Sequence, residues 1–157
     1  MILKSYELEK IRAKNNQIIL FYGKNTGYKQ QLINDLYLNN FKNETLRYDE
    51  NEIIGNLDNF ISSLLSNSLF EKEKLIIISR ATDKIFDTIL EIIDRKISGI
   101  KIILNCGDLE KKSKLRTLFE KEINLLCVAF YEDNNKSLNF IVQNFLRINK
   151  IKLFDYS

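Results

Sequence analysis

The stretch of this sequence with the most chemical potential is Gly23-Lys24-Asn25-Thr26-Gly27-Tyr28-Lys29-Gln30. It follows an apolar run and opens a helical pattern, the place where a phosphate-cradling loop would lie. A working loop of that kind is G-x-x-x-x-G-K-[ST]: backbone N–H groups surround the phosphates, the Lys reaches them, and the hydroxyl holds Mg²⁺. Counted from Gly23, this chain is one residue short. Tyr28 intervenes before Lys29, and Gln30 stands where the hydroxyl should be. The acidic strand end that would hold the metal through water is also missing, because Ile76-Ile77-Ile78 runs into Ser79-Arg80. These positions do not supply the groups that bind a magnesium nucleotide and act on it. Gly23, Gly27 and Lys29 thus read either as a plain helix start with two glycine turns or as a degenerate nucleotide loop.

Other catalytic chemistries are bounded by composition. The 157 residues contain no His, so a Ser-His-Asp or Cys-His triad and any His-ligated metal site are excluded. Cys106 and Cys127 lack Cys-x-x-Cys spacing and fall at apolar runs, as inert core thiols do. No cofactor is expected. The net charge of +3 neither demands nor excludes nucleic acid. One cluster, Lys111, Lys112, Lys114 and Arg116, lies at a helix start, where cations oppose the helix dipole. It reads as a solvated helix face or as a contact for DNA or a neighbouring subunit.

A third stretch is apolar rather than ionic. In Asn67-Ser68-Leu69-Phe70-Glu71-Lys72, two large side chains sit side by side where a loop should turn. Such a pair either anchors the loop in its own core or meets a partner.

The elements that position these stretches alternate. Short helices and strands are expected in the order: a helix from Ser5 as N-cap through Ile11, a strand 17–22, a helix 28–41 and a strand 44–48 near an edge. A helical region then carries Ile53 to Leu65 with apolar residues at 57, 60, 61, 64 and 65, the spacing of one buried face. Strand 74–79, helix 83–97, strand 100–106, helix 112–121 and strand 124–131 follow, and a last helix is expected over 135–149. Near-continuous apolar strands such as Leu75-Ile76-Ile77-Ile78 suit a parallel sheet covered on both faces. Five strands alternating with helices predict a three-layer α/β fold. The absence of Pro and the presence of only five Gly predict a compact unit without flexible linkers. No apolar run approaches the roughly 20 residues of a membrane span, and Met1–Tyr6 lacks the regions of a signal peptide, so a cytoplasmic protein is expected.

In this order and spacing the chain resembles the N-terminal part of the delta subunit of the bacterial DNA polymerase III clamp loader. Four passages carry the resemblance: 21–25 as a strand running into Gly without a true phosphate loop, 68–78 as a Ser-Leu-Phe turn leading into an apolar strand, 108–116 as a basic stretch after the fourth strand, and 139–142 with 148–153 as the opening of a second domain. The resemblance implies a three-layer, parallel-sheet AAA+-like domain over 1–133 without a functional nucleotide site. It also implies the beginning of a helical lid over 134–157, so the chain looks like an N-terminal fragment of a longer protein. The implied activity is non-enzymatic: binding the sliding clamp and helping to open the ring during DNA replication, with no ATP hydrolysis in this subunit.

By the same resemblance Leu69 and Phe70 are the plug that enters a pocket on the clamp, and Ser68 shapes the turn. Asn67 stands where some family members have another apolar residue. The implied partners are the clamp, the ATPase and delta-prime type subunits of the loader and, through them, DNA, with no membrane. Two other classes compete: a nucleic-acid-binding module using 111–116, and a divergent P-loop phosphotransferase.

Overall fold

The computed structural model of the chain describes residues 1–67, 72–131, 142–143 and 146–147. Its centre is one six-stranded sheet, all parallel, in the order β1-β6-β2-β5-β4-β3. The strands are β1 (Ile2–Lys4), β2 (Ile18–Gly23), β3 (Thr45–Asp49), β4 (Lys74–Ala81), β5 (Ile100–Cys106) and β6 (Leu125–Phe130). The helices are α1 (Leu8–Arg12), α2 (Thr26–Ile33), α3 (Glu50–Ile54), α4 (Leu57–Asn67), α5 (Phe86–Arg95) and α6 (Lys114–Lys121).

Every residue of β2 and β6 is buried because both faces of the sheet are covered. Alternate residues of β2 divide between two cores. Ile18, Leu20 and Tyr22 face α3, α4, α5 and α6, against Ile53, Phe60, Leu64, Ile89 and Phe119. Ile19 and Phe21 face α1 and α2, against Leu8, Ile11, Leu32 and Ile33. Each such side chain contributes roughly 1.5–3 kcal/mol on burial. Cysteines 106 and 127 belong to the first core as expected, and burial pushes the Cys127 thiol up to about 12.

The three-layer α/β reading holds, and several boundaries change. The sheet has a sixth strand, β1, that a three-residue segment beginning Met1-Ile2 does not announce by periodicity. It pairs with β6, Ile2 opposite Cys127. Ser5 is therefore not the cap of α1; its N–H continues the pairing to the Ala129 carbonyl at 2.9 Å, and Glu7 takes the N-cap position. The helix expected over 28–41 begins at Thr26 and passes into a π-helical turn over Asn34–Leu38. The region from Asp49 to Leu65 breaks into two helices at Gly55-Asn56, and α3 opens with a capping box of Asp49 and Glu52. This break takes Ile54 out of phase with α4 and leaves it exposed; Leu65, at the edge of the α4 stripe beside buried Leu64, is exposed as well, although the stripe placed both toward the core.

Helix 83–97 begins as a 3-10 turn over Asp83–Ile85, and the helix expected from 112 begins at Lys114 behind Ser113. The predicted edge position of the 44–48 strand is where β3 lies. The final expected helix, the lid over 134–157 and the 133/134 boundary lie outside the described residues, apart from 142–143 and 146–147, which have helical conformation. Among the described residues no helix is long and apolar enough to cross a membrane.

Candidate functional site

In parallel α/β sheets ligands sit beyond the carboxyl ends of the strands, so the loop after β2 is the first place to look. Gly23 ends that strand with φ +130°, and a Cβ there would lie 1.9 Å from the Phe130 carbonyl oxygen of β6. Only glycine fits. Gly27 is different: it lies in the first turn of α2 with open space around its Cα, so nothing there requires glycine.

Several polar groups of this loop are engaged within the chain. The Gly23 N–H donates to the Gly107 carbonyl at 2.9 Å, and the Thr26 N–H donates to the Lys24 carbonyl at 2.8 Å. Asn25 caps α2, its side chain accepting from Tyr28 N–H at 3.2 Å and its carbonyl from Lys29 N–H at 3.1 Å. Lys24 approaches Asp108 at 4.0 Å. Lys29, the residue that would reach a phosphate, is only 2% exposed, and its ammonium donates to the Cys106 carbonyl at the end of β5. Burial pushes its pKa below the ordinary lysine value, with Cys106 and Asp108 opposing. The loop after β2 is thus knitted to the turn after β5.

The neighbouring strand end is likewise closed. A bulge between Ser79 and Ala81 puts Arg80 in the left-handed region at φ 56°, and its guanidinium pairs with Asp49. The Asn51 N–H first, then Arg80, hold the Asp49 carboxyl below its ordinary pKa. Glu50 is buried, accepting from the Thr82 N–H and from its hydroxyl at 2.8 Å. Among the described residues no group of three His, Cys, Asp or Glu side chains is placed to hold a metal ion.

The basic stretch divides. Lys111, Lys112 and Lys114 are exposed, with Lys112 3.4 Å from Glu110. Arg116 turns inward: it donates to Glu120 at 2.7 Å and to the Leu109 carbonyl at 2.9 Å, and its guanidinium lies 4.8 Å from the Tyr22 ring centroid. It packs as a cation on an aromatic face.

The helix start that looked unfavourable for cations has its own counter-charge, which sequence reasoning missed. Asp83 accepts from the Ser113 hydroxyl at 2.6 Å and from the Lys114 and Leu115 N–H groups at 3.1 Å. Burial alone would raise the Asp83 pKa, but these hydrogen bonds outweigh it and hold the carboxyl below its ordinary value. No local signal links Asp83 to a helix thirty residues later, although Ser113 itself carries the N-cap signature.

In the sequence the apolar stretch falls between α4, which ends at Asn67, and β4, which begins at Lys74. Ser68, Leu69, Phe70 and Glu71 lie outside the described residues, as does the side chain of Asn67. What is described is the frame: α4 with Phe60, Ile61 and Leu64 buried, and β4 entering the sheet at Lys74.

No protein-family model matches the sequence, and no curated protein matches it. Among solved structures, the chain is similar to the Bacillus subtilis DNA clamp loader delta protein (YqeN), at 15% sequence identity and a TM-score of 0.63. The likeness covers 92% of this chain and 48% of that one, so the chain spans about half the length of its neighbour. The likeness is one of fold: three layers around an all-parallel sheet.

Proposed function

We propose that this chain is the clamp-binding portion of a clamp-loader delta subunit, a non-catalytic component that engages a sliding clamp. The observation that carries the reading is the place of Leu69-Phe70 in the chain. The pair falls between α4 and β4 of a domain whose fold is that of a clamp loader delta protein. A Leu and an aromatic ring presented together can act as a binding hot spot, each worth about 2 kcal/mol or more on truncation. Ser68 and Asn67, which precede the pair in the sequence, are polar, so affinity rests on two apolar side chains. Ring opening is then a population shift, in which the chain binds the sprung clamp more tightly than the closed one. That step requires no nucleotide in this domain. The engagement of Lys29 with Cys106 supports the non-catalytic reading over a phosphotransferase. Contacts with the ATPase subunits, and through them with DNA, belong to the complete assembly.

Binding to a purified bacterial sliding clamp tests the proposal. The intact chain should bind at micromolar concentration or below. The Leu69→Ala/Phe70→Ala double variant should lose more than about 30-fold in affinity, the equivalent of one 2 kcal/mol hot spot. A folded chain that ignores its cognate clamp would sink the assignment. Equal binding by the double variant would move the site elsewhere. The exposed Lys111, Lys112 and Lys114 favour one further control, DNA binding by the isolated chain, which would fall steeply with salt if these residues carried it.

A further inference from the structure

A wide concavity lies at the amino ends of the strands, away from the loops that would face a nucleotide. It is a trough of about 740 Å³ crossing the starts of β2, β5 and β6, and its wall reaches Glu73 just ahead of β4. The floor is apolar, with Ile97, Ile100 and Leu125, and the rim is polar, with Asn15, Lys96, Ser98 and Lys101. The rim is held in place from within. Asn16 donates to the Asn124 carbonyl at 2.8 Å, Gln17 donates to the Ile97 carbonyl, and Lys101 lies 3.4 Å from the Asn15 side-chain oxygen. Beside Asn124, at the far end from Glu73, Ile123 is 82% exposed, the most exposed large apolar side chain described.

We infer that this trough is a second contact for the same clamp, receiving an extended, carboxylate-bearing segment of its polypeptide, with Ile123 as an apolar anchor at the far rim. The inference rests on the clamp-binding reading above. Two observations select this occupant. The first is area: a Leu and a Phe side chain bury no more than about 400 Å² between them, whereas a stable interface takes about 800 Å² from each partner. A two-residue plug therefore needs neighbouring surface. The trough begins at Glu73, which follows the plug stretch in the chain after Lys72.

The second is charge: the trough is lined by two ammonium groups, Lys96 and Lys101, against the single carboxylate of Glu73. An acidic segment gains from that balance, and a basic one loses. The apolar floor beneath a polar rim suits a segment whose backbone and carboxylates meet the rim while one or two side chains lie on the floor.

The test titrates a purified bacterial sliding clamp against four forms of the full chain: the unaltered chain, Leu69→Ala/Phe70→Ala, Ser98→Trp/Ile123→Glu, and Lys96→Glu. Thermal melts of each confirm that it is folded. The trough variant Ser98→Trp/Ile123→Glu fills the concavity and removes the anchor, and is expected to weaken binding at least tenfold. Lys96→Glu is expected to weaken it about threefold or more and to flatten its dependence on salt. If the plug variant loses binding while both trough variants bind like the unaltered chain, the second contact is wrong and the clamp reading stands. If the trough variants lose binding and the plug variant does not, the trough stands and the plug is misplaced. A folded, unaltered chain that does not bind overturns both.

Discussion

The two ends of one parallel sheet are built on opposite plans. At the carboxyl end, the loop after β2 and the turn after β5 satisfy each other through Gly23 to Gly107 and Lys29 to Cys106. Glu50 is tied to Thr82, and Asp83 to the start of α6. At the amino end a wide trough stays open between strand starts, rimmed by amides and ammonium groups and ending beside an exposed Ile123. In folds of this kind the carboxyl end ordinarily receives the ligand. Here Lys29 and the Gly23 N–H are engaged by the turn after β5. The difference is one of hydrogen bonding: the loop after β2 directs its Gly23 N–H and Lys29 ammonium to the turn after β5, while the trough leaves an apolar floor open under a polar rim.

The contrast breaks most sharply at Gly23. Gly23→Ala would place a methyl group against the Phe130 carbonyl and force an L-residue to φ +130°. A loss of about 3 kcal/mol or more is expected in denaturant unfolding, from overlap and backbone strain together. A fall of under 1 kcal/mol would mean that the loop is looser than its hydrogen bonds indicate.

Asp83→Ala comes next. It leaves the Ser113 hydroxyl and two helix N–H groups without their acceptor, at a cost of about 2 kcal/mol. The unaltered carboxyl has a lowered pKa in the fold. Its contribution is thus present above the unfolded carboxylate value and is lost as pH falls through that value to the folded one. The acid limb of the stability curve should flatten in Asp83→Ala; an unchanged limb would remove Asp83 from that role.

Lys29 gives a smaller effect of the same sense, at the alkaline end of the curve. Its folded pKa lies below the ordinary 10.5, so the unfolded chain binds more protons between the two values. Stability should therefore rise with pH across that window, and the rise should be absent in Lys29→Met. A flat alkaline limb in the unaltered chain would mean that the ammonium is better solvated than its burial indicates. Smallest of all is Ile123→Glu at the open end, expected to shift stability by no more than about 0.5 kcal/mol because so little is packed there. A larger loss would show that the amino end is also closed.

Five of the six strands were legible because they are short apolar or alternating runs separated by helical spacing, a signal that survives without any knowledge of neighbours; β1 was not. The departures from the phosphate-loop pattern are legible too, in the spacing before Lys29 and the Ser79-Arg80 strand end. The contacts made around that loop were not. Lys29 reaches Cys106, and Asp83 reaches Ser113, across gaps that no local pattern encodes. Ile54 fits a helical stripe and is still exposed, because one break at Gly55-Asn56 resets the phase between two helices. Arg116 looked like its basic neighbours, and only tertiary packing on Tyr22 separates it from them.

The strand order has a consequence for how the chain is made. β2 is wholly buried, and its two neighbours are β5 and β6, which begin at residues 100 and 125. A ribosome adding about 5–20 residues per second leaves this strand without either partner for several seconds or more. Pairings so distant in sequence also form slowly, because loop closure comes before any contact is gained. The apolar run Ile18-Ile19-Leu20-Phe21 is therefore the segment of the newborn chain that most needs shielding from other chains, and its synthesis is the stage at which a trigger-type chaperone would matter most.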